Sequence, residues 1–188
     1  ITATTSITMF LSRHAPVLAE AAAPFEVAFV PTRRNLDLAT GEADIALRMQ
    51  RPPEGRDLFA RRIGCSVVAV FGSADHAPRA MIAPPDNPER SRGAIVSRKL
   101  SLIETVRDGR PIAARIDDTT IRYQAIKAGL GLGVLPCWLG DSDPSLMRVT
   151  APRRVSNRFR SHERAVACSR ATRSPTSIFH PSRRARWT

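Results

Sequence analysis

A chain of 188 residues with 43% apolar content is long enough to bury a core in one domain or two small lobes. The formal charge of +12 suggests nucleic acid, but +9 of it falls in residues 153–188, where ten Arg stand against Glu163 alone, and residues 1–152 carry only +3. That distribution excludes a basic DNA-binding surface across the first 152 residues.

Of the 29 basic residues only Lys99 and Lys127 are lysine, an arginine bias of the kind that codon composition produces. The cysteines Cys65, Cys137 and Cys168 are far apart and form no C-x-x-C pair, so neither a zinc site nor a disulfide framework is expected. Cys65 and Cys137 lie in apolar runs and read as buried small hydrophobes, which a reducing cytoplasm suits. No apolar run reaches the length of a membrane span, and no basic-then-apolar signal opens the chain.

In chain order, residues 1–6 (ITATTS) read as a strand ending in hydroxyls, and residues 7–23 as a helix with Ile7, Phe10, Leu11, Val17 and Leu18 on its apolar side. Pro16 lacks an amide donor and collides with the preceding turn, so it kinks that helix or starts a second one. Thr4, Thr5 and Ser6 then sit where a strand ends and a helix begins, and the free amides and positive dipole end favour an anion there. The same pattern is met if Thr5 or Ser6 only caps the helix.

Residues 25–29 alternate, with Phe25, Val27 and Phe29 apolar, as a half-buried strand that Pro31 stops. Asn35 as N-cap, Leu36, Leu38 and Ala39 as an apolar patch, and Gly41 as a left-handed C-cap predict a short helix. Ile45 to Leu47 then reads as a buried strand entered through Asp44 and left through Arg48. Strand, helix, strand is a βαβ unit of a parallel sheet, whose strand ends form a ligand-binding edge. Thr32 and the pair Arg33 and Arg34 fall at that edge. Two adjacent arginines are ordinarily solvated, or one of them pairs with Asp37, and Arg48 is expected to meet a carboxylate ligand or else Asp44 or Asp57.

Residues 58–71 are long for one strand. Arg61 and Arg62 interrupt them and Gly64 permits a bend, so the segment is expected to pair in one lobe and cross to another, with residues 67–71 as the first hinge strand. Pro78, Pro84, Pro85 and Pro88 make residues 73–92 loop-rich. Residues 93–97 and 111–116 read as strands, and residues 100–106 between them fit either a strand or a helical turn. Asp117 to Thr120 open a helix, with Asp118 or Thr119 as N-cap, Ile121, Ala125 and Ile126 as the apolar stripe, and Gly129 as the end. This start mirrors Thr4 to Ser6, and two lobes facing each other would line one cleft with two helix N-termini, a setting for a small anionic or polar ligand.

Gly131-Leu132-Gly133 lacks the strand-to-helix context and the further glycines of a dinucleotide site. Residues 134–138 are expected to return the chain to the first lobe, and residues 145–150 to add a strand there. From Arg153 no period survives. Text of Arg, Ser, Pro and Ala arises from out-of-frame translation of GC-rich DNA, which places a frame shift near residues 153–158; the alternative is a genuine basic tail that meets nucleic acid or an anionic surface. A missing element there leaves an open sheet edge, an aggregation liability.

The run RNLDLATGEADIALRM at residues 34–49, followed by RPPEGRDLFARRIG at 51–64, resembles the effector-binding domain of LysR-type transcriptional regulators. A helix ending in G-x-A-D-hydrophobic-A-hydrophobic-R, a Pro-containing loop and a Leu-x-x-Arg strand recur in that family. The segment IDDTTIRYQAIKAGLGLGVLPCW at 116–138 resembles a later part of the same domain, and with the opening ITATTS the resemblance spans about residues 1–152. It implies an α/β fold of two Rossmann-like lobes joined by two crossover strands, the periplasmic-binding-protein type 2 architecture, with the second lobe short and the C-terminal part of the first incomplete. The divisions it suggests are residues 1–68 for lobe one, 69–135 for lobe two, 136–152 for the return to lobe one, and 153–188 for an anomalous basic tail.

The implied function is sensing: a small, anionic effector in the cleft, contacted by Thr4, Thr5, Ser6, Thr32, Arg48, Asp118 and Thr119. The implied partners are DNA, through an N-terminal helix-turn-helix outside this chain, and further copies in a homodimer or homotetramer, in the cytoplasm and without a membrane. No metal or cofactor is expected. The two-lobe fold is also similar to that of periplasmic solute-binding proteins, which is the alternative function. An enzyme is not expected: His14, His76, His162 and His180 join no nucleophile or paired-carboxylate arrangement, and no G-x-S-x-G or H-E-x-x-H is present.

Overall fold

The computed structural model describes residues 1–49, 58–85, 94–154 and 165–170. Strand β1 (Thr2–Ala3) is flanked by β2 (Val30–Pro31) and β3 (Ile45–Arg48), both parallel to it. Parallel neighbours need a crossover, and helices α1 (Thr5–Ser12) and α2 (Ala15–Ala22) supply it between β1 and β2. Pro16 stands in the first turn of α2, where a helix does not use the amide, so it starts a second helix rather than kinking one.

Two expectations for this lobe change. The strand predicted over residues 25–29 is displaced to β2, leaving Phe25 74% exposed. Pro31 is the last residue of that strand, so the strand does stop there; as β2 is the edge of the sheet, the missing N–H leaves no ladder bond unmade. The helix predicted from Asn35 is a turn. The Asp37 carboxylate accepts the Ala39 amide (2.8 Å), the Asp37 amide donates to Glu42 Oε2 (2.7 Å), and the Glu42 amide donates to the Asp37 carbonyl (3.0 Å). These bonds compete with the helix for the same backbone groups, and Gly41 (φ +83°) provides the left-handed exit that was expected of it.

Strand β4 (Leu58–Gly64) ends at Cys65–Ser66, and the chain continues as β5 (Val67–Ser73) in a second sheet, so the segment does cross between lobes. Cys65 occupies this break and is exposed rather than buried. Strand β6 (Met81–Ala83), no residue of which is more than 1% exposed, forms inside the proline-rich stretch where only loop was expected. Next come helix α3 (Ala94–Glu104), strand β7 (Ile112–Arg115), helix α4 (Thr119–Lys127) and strand β8 (Leu132–Pro136). Both β7 and β8 are parallel to β6, so the order β7-β6-β8 repeats the order β2-β1-β3 of the first sheet. That topology explains why residues 94–97 are helical, not the predicted strand: two parallel strands cannot be joined without a crossover. Gly93 lies outside the described residues.

Between β8 and residue 154 the chain stays with the second sheet instead of returning to the first lobe. The short helix α5 (Cys137–Gly140) reverses it, and β9 (Leu146–Arg148) and β10 (Arg153–Arg154) then pair in succession along the edge of β5 opposite β8. The Val149 amide donates to the Val70 carbonyl (2.8 Å) and the Val70 amide to Thr150 Oγ1 (3.0 Å), bridging the gap between them. With seven residues, β5 has length enough for both, which keeps residues 145–150 in the second sheet.

Both faces of the second sheet are covered. Val68 and Val70 join Met81, Leu132, Val134 and the α3 residues Leu102 and Ile103 on one side. Ala69 and Phe71 join Ile82, Leu135, Ile126 and Leu139 on the other, the strand alternation sorting them. Each fully buried side chain of this size contributes about 2 kcal/mol. Ile126 is fully buried, whereas Ile121, expected beside it, is 62% exposed. The first lobe is lighter: neither α1 nor α2 carries a buried residue, and its described cluster is Leu38 and Ala46 with Ala43 and Leu58. Its sheet is completed by β11 (Ala165–Arg170), antiparallel between β3 and β4. A strand therefore forms within the tail where no pattern was expected; residues 155–164 and 171–188 lie outside the described residues.

The G-x-G segment serves packing. Gly131 has φ +156°, and a Cβ there would stand 2.3 Å from the Ala80 carbonyl oxygen. Gly131→Ala should cost about 2 kcal/mol or more in urea denaturation, while Gly64→Ala, with nothing within 4 Å of the new carbon, should stay within about 0.5 kcal/mol of the parent.

Candidate functional site

The C-terminal ends of the parallel strands in both lobes converge. From the first lobe come Thr4 to Ser6 after β1 and Thr32 to Arg34 after β2; from the second come Ile116 to Thr119 after β7. Arg33 Nη1 donates to the Asp117 carboxylate and its Nη2 to the Asp117 carbonyl (3.0 Å). Thr5 lies near Asp118 and helps hold that carboxyl below its ordinary value, and Thr120 Oγ1 donates to Met9 Sδ (3.0 Å). Further along α1, Arg13 donates to Ser142 Oγ (3.0 Å) and lies over the Trp138 ring, whose centroid is 5.4 Å from that of Phe10. Met9, Arg13, Tyr123, Trp138 and Asp143 line an open depression of about 460 Å³ beside this contact.

The expected site residues separate into two groups. Thr4, Thr5, Ser6, Asp118 and Thr119 are brought to the junction of the lobes. Thr4 is the N-cap of α1, but its hydroxyl caps no amide and lies 3.4 Å from Ser6 Oγ instead. Asp118 caps α4, its Oδ1 accepting from the Thr120 (2.8 Å) and Ile121 (3.1 Å) amides. Burial raises its carboxyl, yet those amides, the Thr5 hydroxyl and Arg33 outweigh it and leave the group below its ordinary value. Thr119 is buried and accepts from Arg122 Nη2 (3.3 Å).

Thr32 and Arg48 serve the first lobe's own structure. Thr32 Oγ1 accepts the Arg34 amide (3.1 Å). Arg48 is buried, donating to the Leu47 carbonyl (3.1 Å), Thr2 Oγ1 (3.0 Å) and the Arg34 carbonyl (3.0 Å), so it braces the turn after β2. Asp57, one of its expected partners, lies outside the described residues. Arg34 pairs with Glu42 (2.9 Å) rather than Asp37, because the Asp37 carboxylate is held by its own turn.

Four residues were not singled out for the site: Arg33, Lys99, Asp117 and Arg122. Arg122 is 2% exposed, and its guanidinium donates to the carbonyls of Val134 (2.8 Å), Ile116 (2.8 Å) and Asp117 (3.3 Å). Burial brings it down to about 10. For Lys99 on α3, burial first and then the nearby Arg122 pull the ammonium down to about 8; Asp117 offsets part of this and Arg33 adds to it. One sequence signal was available: Arg33 and Asp117 each adjoin a residue already placed at a strand end. Among the described residues no three His, Cys, Asp or Glu are grouped to hold a metal, and burial raises the half-buried Cys137 thiol.

No family model and no curated protein sequence matches the chain. Solved structures do. The regulatory domain of CrgA, a LysR-type transcriptional regulator from Neisseria meningitidis, superposes with a TM-score of 0.64 at 16% identity over 90% of this chain and 87% of that one. The Synechocystis PCC6803 CcmR regulatory domain in complex with 2-PG gives 0.57 at 17% identity, over 92% and 87%. The longer CrgA structure gives 0.61 at 14% identity, covering 90% of this chain and 60% of that one. At these identities the likeness establishes the fold: a two-lobed α/β domain like the regulatory domains of LysR-type regulators.

Lys99 makes stability depend on pH in a defined window. The folded chain releases this proton near pH 8 and the unfolded chain near 10.5, so between them the unfolded state holds more protons and stability rises with pH. Lys99→Met should raise the urea midpoint at pH 7 and reduce the rise between pH 8 and 10.5; an unchanged slope would assign the window to another group.

Proposed function

We propose that this chain is the effector-sensing part of a LysR-type transcriptional regulator, binding a small oxyanion between its lobes. The observation that carries the reading is the convergence of the strand ends: the mutually bonded hydroxyls of Thr4 and Ser6 and the uncapped first turn of α1 stand opposite Asp117 to Thr119, with Arg33, Lys99 and Arg122 supplying positive charge. The fold supports it, and so does the CcmR regulatory domain solved with 2-PG. Thr4, Thr5, Ser6 and Arg33 are the proposed ligand contacts; Thr119 and Arg48 act by holding backbone in place.

A ligand that binds one lobe arrangement better than another shifts the population between them, which is the signal such a domain passes on. DNA would be met by a helix-turn-helix elsewhere in the protein, in a dimer or tetramer, in the cytoplasm. The reading includes no catalytic step. The transport alternative gains no support from the similar structures described above, and among the described residues no helix is long and apolar enough to cross a membrane.

Thermal melting with a panel of small phosphate and carboxylate compounds tests the proposal. A ligand at one hundred times its Kd adds about 2.7 kcal/mol, a rise of several degrees, and is recovered unchanged. Combined Thr5→Ala and Ser6→Ala should abolish the rise with the unliganded midpoint moved by less than about 2 °C. Thr119→Ala should instead lower the unliganded stability by about 1 kcal/mol, because it strips an acceptor from Arg122. A rise that survives the double substitution would overturn the assignment of the α1 turn.

A further inference from the structure

Arg33 and Asp117 form an ion pair between the lobes whose side chains are 48% and 29% exposed. The Asp117 carbonyl also accepts from Arg122 Nη1 (3.3 Å), and the Asp117 carboxylate favours the charged forms of Arg122 and Lys99. The neighbouring Asp118 accepts from the Thr120 and Ile121 amides at the start of α4. A small oxyanion entering the cleft therefore finds Arg33 held by a carboxylate of the second lobe.

We infer that Asp117 is a built-in competitor of the ligand: its carboxylate holds Arg33 until an incoming phosphate or carboxylate takes that guanidinium, so this one residue sets the affinity and links binding to release of a contact between the lobes. The inference rests on the reading of the cleft as an oxyanion site and adds to it the group that must be displaced. The exposure of the pair makes such an exchange feasible. Partly exposed ion pairs contribute little, equivalent to at most about a fivefold change in binding. Asp117 thus holds Arg33 firmly enough to favour the engaged arrangement and weakly enough to be exchanged.

The test is equilibrium dialysis of the whole chain with radiolabelled inorganic phosphate and, in parallel, radiolabelled succinate, which tells a phosphate site from a carboxylate site. Asp117→Asn preserves shape and removes the charge; it should tighten retention about fivefold for the preferred anion. Arg33→Gln should weaken retention, and in the Arg33→Gln background Asp117→Asn should no longer tighten it, since the two act through one contact. Solution scattering without any anion should give a larger radius of gyration for Asp117→Asn than for the parent. Equal affinity of parent and Asp117→Asn would overturn the inference while leaving the oxyanion site standing. Tightening that persists without Arg33 would also overturn it, because Asp117 would then act only by general repulsion. If no variant retains either anion, the oxyanion reading itself fails and the inference falls with it.

Discussion

The second lobe depends on one buried cation. Arg122 reaches from α4 to the Ile116 carbonyl just past β7, to the Val134 carbonyl in the middle of β8 and to Thr119 at the start of its own helix, tying these three elements together. Its hydrogen-bond acceptors are neutral, so the guanidinium charge is spread over backbone dipoles, with the Asp117 and Asp118 carboxylates offsetting part of the cost of burial. Its burial is costly, which is why its proton is held less tightly than in water. In return the Ile116–Thr119 segment is fixed in space, and Asp117 and Asp118 are presented to the first lobe. Arg48 does the corresponding work there, holding the turn that carries Arg33 through the carbonyl of Arg34.

Between the lobes the contacts are of a different kind. Among the described residues they are mostly polar and partly exposed: Arg33 with Asp117, Thr120 with Met9, and Arg13 with Ser142, joined by the ring contact of Phe10 with Trp138. Lobes joined in this way can change their spacing at small cost, whereas the apolar sandwich around Phe71 and Ile82 cannot. The division of labour is physical. Rigidity comes from burial within the second sheet, and adjustability comes from ion pairs and hydroxyl contacts that water can replace.

Local pattern made some of this readable from the amino acids. Gly41 and Gly129 appear where left-handed exits are required, Pro16 starts a helix, Asp118 caps one, and the break after Gly64 separates the sheets. What escaped detection was set by tertiary pairing. The apolar run at residues 94–97 has strand composition, yet it is helical because β6 and β7 are parallel. Met81 to Ala83 is too short to show a period and is marked as a strand only by its two neighbours. Residues 145–150 were misplaced because nothing local says which edge a strand will join. The candidate site was legible as to place, since strand ends and helix starts carry hydroxyls and carboxylates, but not as to pairing. Arg33 and Asp117 are 84 residues apart, and no short-range signal links them.

The tail bears on the first lobe directly, because β11 supplies the strand between β3 and β4. If both lobes contribute to one oxyanion site, amide chemical-shift mapping of the chain titrated with inorganic phosphate will give saturable shifts at Thr4 to Ser6 and at Asp117 to Thr120 with a single midpoint. Shifts confined to one lobe, or centred on Met9, Arg13 and Trp138 instead, would contradict a site shared by both lobes.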